Sequence, residues 1–137
     1  MMLEVAFICI HNSCRSQMAE TIGKAILGDI AHVHSAGTED YPEVKPLALE
    51  AVREIGLDPT GQRPKRLDEI PSRLDYLITM GCGVECPYIP TTFRDDWGLD
   101  DPSGQPLEAF RETRSHIIAK MNQLREQILH DHPELNT

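Results

Sequence analysis

Apolar residues run almost unbroken from Leu3 to Ile10, the pattern of a short strand covered on both faces. Past Ser16 the period changes. Met18, Ala19, Ile22, Ile26 and Leu27 recur at helical spacing, which predicts an amphipathic helix stopped by Gly28-Asp29. Ile30 to Ser35, closed by Gly37, predicts a second strand. Pro46 suits the first turn of another helix, whose apolar positions are Leu47, Leu49, Ala51, Val52 and Ile55 and whose stop is Gly56. Residues 57–66 carry Pro, Gly and basic side chains and predict a loop; Leu67 to Leu74 suits one or two helical turns. Tyr76 to Met80 predicts a third strand and Thr92 to Trp97 a fourth, separated by a loop over Gly81 to Pro90. After a turn at Asp100–Gly104, Pro106 to His130 predicts the longest helix. Phe110, Ile117, Ile118, Met121, Leu124 and Ile128 face inward, while Arg111, Glu112, Lys120, Arg125 and Glu126 face water. The last residues, Asp131 to Thr137, are expected to fray.

Strands alternating with helices define an α/β class, here a doubly wound four-stranded parallel sheet with helices on both faces. No repeat or linker interrupts the pattern, so residues 1–137 are expected to form one domain. Aromatics make up only 5% of the chain, so the core must be aliphatic. Acidic residues outnumber basic ones 22 to 13, for a net charge of −9. That field opposes nucleic acid and anionic membranes, and any anion site must be local, built from backbone N–H groups and one or two basic side chains. No segment reaches membrane-spanning length, and Glu4 with no basic flank argues against a signal peptide. Four cysteines in such a chain point to a reducing compartment, the cytoplasm, where cysteine is more often catalytic, metal-binding or inert than cross-linked.

Chemistry concentrates where the first strand meets the first helix. Cys9 ends the strand and Arg15 stands six positions on, just before the helix. A loop of that length closes around a volume of oxyanion size, its N–H groups inward and the helix N-terminus adding partial positive charge. The Arg15 fork can clamp two oxygens of a tetrahedral anion, and the same field favours thiolate over thiol at Cys9. A thiolate beneath a bound oxyanion is in attack geometry.

These residues carry a resemblance. CIHNSCRSQMAE resembles the signature loop of the low-molecular-weight phosphatase superfamily, and its CRSQMAE portion is closer to the arsenate reductase branch. The likeness extends to Ser35-Ala-Gly37, the cysteine loop at 82–86 and WGLDDPSG at 97–104. It implies that Cys9 is the nucleophile. Ile10, His11, Asn12, Ser13, Cys14, Arg15 and Ser16 would cradle arsenate, with phosphate or sulfate as mimics. Asn12 would brace the loop and Ser16 hydrogen-bond the sulfur. Ile10 and His11 depart from the smaller residues many members carry. Cys14 reads as a small buried residue without a redox role.

The resemblance also makes Asp101, directly before Pro102, the general acid that protonates the leaving oxygen, with a pKa raised when an anion is bound. Cys82 and Cys86 lie on the loop after the third strand, beside the first loop in a doubly wound sheet, and glycines 81 and 83 let that backbone rearrange. Cysteines four apart in a helical turn have Cα atoms roughly 6 Å apart, within disulfide range. The family mechanism then implies a relay in which Cys82 attacks the arsenylated Cys9, Cys86 attacks Cys82, and thioredoxin reduces the resulting pair. Zinc binding by Cys82 and Cys86 lacks a second ligand pair, so no metal and no tightly bound cofactor are expected. Some members hold potassium near residues matching Asn12, Glu20 and Ser35. Here the fourth ligand is absent, and Lys65 is the candidate to replace the cation. A monomer is expected. Competing readings are a phosphatase acting on phosphate monoesters, disfavoured because Ser103-Gly104 stand where phosphatases usually carry tyrosine, and a transferase using a small thiol, disfavoured by the Cys82–Cys86 pair. A binding module would leave the acid turn unused.

Overall fold

The structure, a computed structural model, describes residues 2–9, 12–39, 42–81 and 89–136. Seven main elements follow in order: β1 (Leu3–Cys9), α1 (Arg15–Leu27), β2 (Ala31–Gly37), α2 (Pro46–Arg53), β3 (Leu74–Thr79), β4 (Thr91–Asp96) and α3 (Leu107–Asp131). Short 3₁₀ turns occupy Leu67–Glu69 and Pro133–Asn136. The four strands form one parallel sheet in the order β2-β1-β3-β4. The α/β class and the four strands match the sequence pattern.

Strand position explains strand composition. β1 is hydrogen-bonded on both sides, and every residue in it except Glu4 is buried. β4 pairs only with β3 and is largely exposed, which tolerates Arg94, Asp95 and Asp96. Val5 and Phe7 of β1 and Tyr76 and Ile78 of β3 share a core with Met18, Ile22, Ile117 and Met121 of the helices. Ala6, Ile8 and Leu77 point to the opposite face, where they meet Ala36, Ile70 and Leu74. Among the described residues that second face is covered by the 3₁₀ turn at Leu67 and by Ile89, and α1, α2 and α3 gather on the first. The Pro- and Gly-rich stretch at 57–66 explains why the chain there turns without forming a long helix.

The long helix follows its predicted stripe: Phe110, Ile117, Met121, Leu124 and Ile128 are buried, while Ile118 is only half-buried at the edge of the stripe. Ion pairs fix its direction. Arg111 and Arg114 both reach Glu54 just past α2, and Arg125 reaches Asp29 just past α1. The chain after α3 does not simply fray. It makes a further turn over Pro133–Asn136, anchored by the Leu135 N–H on the His132 carbonyl at 3.0 Å.

The strand order has a functional consequence. From β1 the chain moves outward to β2, and from β3 it moves the other way to β4, so the direction reverses between β1 and β3. Such a switch point opens a crevice at the carboxyl ends of the strands. Cys9 ends β1 at that crevice, and Met80 follows β3 there.

Candidate active site

The loop after β1 is shaped by one unusual backbone residue. Asn12 has φ 54°, the left-handed region that a non-glycine residue seldom enters. Asparagine tolerates it better than most, and here its side chain makes the conformation worthwhile. Asn12 Nδ2 donates to Ser16 Oγ at 2.8 Å, while Asn12 Oδ1 accepts the Lys65 backbone N–H at 2.8 Å and Gln17 Nε2 at 2.9 Å. The turn aims the Asn12 backbone N–H at Cys9 Sγ, 3.2 Å away. Ser16 Oγ lies 2.9 Å from the same sulfur. Because Ser16 Oγ already accepts from Asn12, its own proton is available to the sulfur, and two donors converge on Cys9.

Arg15 opens α1 with its side chain buried. Nη1 donates to the Met80 carbonyl at 3.0 Å and to the Leu99 carbonyl at 2.7 Å. Met80 directly follows β3 and Leu99 stands two residues before Asp101, so the guanidinium fastens the chain after β3 and the chain after β4 to the head of α1. These two segments are also joined to each other: the Leu99 N–H donates to the Met80 carbonyl and the Trp97 N–H to the Thr79 carbonyl. Gly81, at φ +87°, lets the chains approach so closely that a Cβ there would stand 2.6 Å from Gly98 Cα. Trp97 packs on Phe7, ring centroids 5.4 Å apart, as loop packing.

Asp101 Oδ2 faces Arg15 Nη2 at 3.9 Å, and Asp101 Oδ1 accepts the Ser103 N–H at 3.0 Å. Burial raises the affinity of this carboxyl for a proton, but hydrogen bonds from the Ser103 backbone and hydroxyl, followed by the charges of Arg15 and Lys45, outweigh it and hold the group below the usual aspartate value. The raised value expected with an anion bound is thus opposed by the donors and charges already facing this carboxyl. Cys14, in contrast, is pushed up to about 12, first by burial and then by the negative fields of Asp101 and Cys9. It is a neutral thiol at physiological pH, in keeping with its reading as a buried wall residue.

Behind the cradle, Ser35 Oγ donates to Glu20 Oε1 at 2.6 Å, and Lys65 Nζ stands 3.0 Å from the same oxygen. Lys24 Nζ pairs with Glu20 Oε2 at 2.9 Å. Burial alone would raise the Glu20 pKa, but these partners, Ser35 foremost, keep it below the usual glutamate value. Asn12, Glu20, Ser35 and Lys65 thus lie together, linked through Lys65, whose backbone N–H bonds Asn12 and whose ammonium pairs with Glu20.

The structure brings Cys9, Asn12, Ser13, Cys14, Arg15, Ser16 and Asp101 to one place. Ile10, His11, Cys82 and Cys86 lie outside the described residues. Three contributors were not singled out from sequence. Gln17 Nε2 donates to the Asn12 carbonyl at 2.9 Å and to the Arg63 carbonyl at 2.7 Å, tying the cradle to the loop before Lys65. Gln62 buttresses Gln17 with a 2.7 Å bond. Lys45 donates its backbone N–H to the Ser13 carbonyl at 2.7 Å, bringing a second positive charge near Asp101. Only the QMAE stretch hinted at Gln17; nothing local signals the other two. Among the described residues, no three His, Cys, Asp or Glu side chains are arranged to hold a metal ion, and no helix is long and apolar enough to cross a membrane.

Sequence and fold are shared with known proteins. Residues 4–85 match the family model for low molecular weight phosphotyrosine protein phosphatase. A protein named arsenate reductase 2 from Staphylococcus haemolyticus (strain JCSC1435) is 40% identical over 117 residues, covering 82% of this chain and 88% of its own. A solved structure described as an arsenate reductase in the phosphate binding state superposes with a TM-score of 0.85 at 36% identity, covering 93% of this chain and 99% of its own. A thioredoxin-dependent arsenate reductase from Corynebacterium glutamicum gives a TM-score of 0.79 at 32% identity, covering 96% of this chain and 64% of its own. With the cysteine cradle, the arginine and the acid loop all in place on this sheet, the chain belongs to the low molecular weight phosphotyrosine protein phosphatase family, in company with its arsenate reductases.

Proposed function

We propose that this chain is an arsenate reductase that passes electrons from thioredoxin to arsenate through Cys9. The observation that carries the reading is the sulfur of Cys9 beneath two donors, the Asn12 N–H at 3.2 Å and Ser16 Oγ at 2.9 Å, with Arg15 and Asp101 at the rim. Donors converging on a sulfur stabilise thiolate, the nucleophilic form. The similarity to proteins named arsenate reductases decides between this reaction and ester hydrolysis, since phosphate and arsenate share shape and charge.

Cys9 Sγ attacks arsenic and forms an S–As bond. One As–O bond breaks, and that oxygen leaves as water, taking its second proton from Asp101. The Cys82 thiolate then attacks Cys9 Sγ. The S–As bond breaks with its electron pair passing to arsenic, which falls from the pentavalent to the trivalent state and leaves as arsenite. Cys86 attacks Cys82, moving the disulfide to the Cys82–Cys86 pair and returning Cys9 as thiolate, and the thioredoxin dithiol reduces that pair. The roles of Cys82 and Cys86 rest on sequence.

Lys65 belongs to the same proposal. Its ammonium beside Glu20 and Ser35 supplies the charge a monovalent cation would bring, so turnover should be indifferent to potassium versus sodium; a several-fold gain with potassium would refute this. The enzyme is proposed to work as a cytoplasmic monomer, which gel filtration of the reduced protein tests.

The test is arsenate-dependent NADPH consumption with thioredoxin and thioredoxin reductase. Cys9→Ser abolishes all activity. Cys82→Ser and Cys86→Ser stop turnover but spare slow hydrolysis of a phosphate monoester. Normal turnover of Cys86→Ser with thioredoxin would overturn the relay.

A further inference from the structure

Gln17 is buried near the head of α1, and the reaction scheme gives it no part. Its amide nitrogen faces three acceptors: the Asn12 carbonyl at 2.9 Å, Asn12 Oδ1 at 2.9 Å and the Arg63 carbonyl at 2.7 Å. Its amide oxygen faces a donor, Gln62 Nε2, at 2.7 Å. Gln62 closes a turn in which its N–H donates to the Pro59 carbonyl at 3.0 Å and Gly61 takes φ 86°. We propose that Gln17 is a positioning residue that holds two donors on the sulfur of Cys9, and that Gln62 fixes which way the Gln17 amide points. The proposal rests on the reading of Cys9 as nucleophile.

Direction is what this chain of bonds transmits. An amide turned end over end keeps its shape but exchanges donor for acceptor. The Lys65 backbone N–H can only donate, so the Asn12 atom it meets at 2.8 Å is oxygen. Asn12 then presents its nitrogen to Ser16 Oγ, and the Ser16 proton is left for the sulfur. Gln17 supports that orientation with its nitrogen on Asn12 Oδ1; turned over, it would set oxygen against three acceptors. Gln62 opposes the turn, because its nitrogen also stands 3.4 Å from the Gln17 backbone carbonyl and keeps a donor at this spot. The bond to the Asn12 carbonyl has a second effect. It helps hold Asn12 at φ 54°, with its N–H 3.2 Å from Cys9 Sγ. Hydrogen bonds linked head to tail polarise one another, so the last donor gains from the first. Among the described residues, the charged and titratable groups nearby are Arg15, Cys14, Lys45 and Asp101 around the cradle, and Glu20, Lys24, Arg63 and Lys65 behind it. Replacing Gln17 or Gln62 removes none of them.

The test is the pH profile of Cys9 alkylation by iodoacetate in the reduced full-length protein, read by mass spectrometry of the Cys9 peptide. Wild type, Gln17→Met, Gln62→Ala and the double variant are compared. Methionine keeps the length of glutamine and its fitness for a helix but lacks the amide. The midpoint should rise by about 0.5 pH unit in Gln17→Met and by about 0.3 in Gln62→Ala, since each loses part of a chain that favours thiolate. With Gln17 already replaced, Gln62→Ala should move the midpoint no further, because its route to the sulfur is gone. A merely packing role would slow alkylation by one factor at every pH. That outcome, an unmoved midpoint, or shifts that add in the double variant overturns the proposal. Urea denaturation checks the fold; should Gln17→Met not fold, the midpoint of Gln62→Ala decides alone. Cys9→Ser separates the two readings. If it still reduces arsenate, the nucleophile assignment falls; if it is inactive while the midpoint stays put in both variants, only the role of Gln17 and Gln62 falls.

Discussion

Arg15 carries two duties that its charge alone does not describe. Nη1 is committed to the Met80 and Leu99 carbonyls, so the guanidinium is held in place ahead of its proposed contact with the oxyanion. Preorganised donors cost little reorganisation when charge develops. A lysine in its place would keep the charge but lose the fork and cannot span both carbonyls and an oxyanion. Arg15→Lys is therefore expected to lower kcat/KM for arsenate about 100-fold or more, most of it in kcat, as steady-state assays would show. Asn12 gives a second contrast at this scale. Asn12→Ala and Asn12→Gly both delete the bonds to Ser16, Gln17 and Lys65, but only alanine must still hold φ 54° with a Cβ. Urea denaturation should find the glycine variant the more stable of the two by about 1 kcal/mol, although both fall below wild type. Equal stabilities would show that the loop relaxes out of the left-handed region once the side chain is gone.

Elements hold the site through a few close junctions. The most demanding is the contact of Gly81 with Gly98, where a Cβ would meet Gly98 Cα at 2.6 Å and Leu99 N at 2.6 Å, at φ +87°. Both neighbours are backbone and cannot rotate away. Gly81→Ala should lower the thermal midpoint and cost about 2 kcal/mol or more, with Asp101 displaced from Arg15. Farther off, Glu54 joins α2 to α3. Hydrogen bonds from Arg111, helped by Arg114, depress its carboxyl from 4.5 to about 2. A folded value below the unfolded one means the ion pair contributes fully above about pH 4.5 and is lost as pH falls toward about 2. Glu54→Gln should flatten the fall of the melting temperature across that window, and high salt should shrink the difference because the pair is open to solvent. The elements themselves were legible where one face dominates: the stripe of α3 and the unbroken run of β1 survive at nearly the same boundaries. What sequence could not supply were contacts set by which loops converge. The carbonyls of Met80 and Leu99 lie 65 and 84 residues from Arg15. The Lys45 contact with Ser13 depends on where α2 docks, which no local pattern encodes.

At the scale of the whole molecule, an anion-consuming site sits on a chain of net charge −9. Two fields of opposite sign act on an approaching arsenate. Far away it meets the summed excess of carboxylates, which repels it. Within the cradle it meets the α1 N-terminus, Arg15 and the nearby Lys45, which attract it. Salt separates the two, because screening acts on charges farther apart than the Debye length, about 10 Å at 0.1 M, and much less on buried ones. Raising ionic strength should therefore remove the long-range repulsion first and leave the cradle intact. The expected result is a rise in kcat/KM of about two- to fivefold between low salt and about 0.15 M sodium chloride, with kcat nearly constant. Sodium chloride is the salt of choice, since sulfate or phosphate would occupy the cradle and sodium leaves the question of potassium aside. A steep fall in kcat/KM over the same range would mean that Arg15 and Lys45 set the field well beyond the mouth of the site. Replacing Lys45 with alanine should then abolish that fall, whereas under the expected regime it lowers kcat/KM at every salt concentration without reversing the slope.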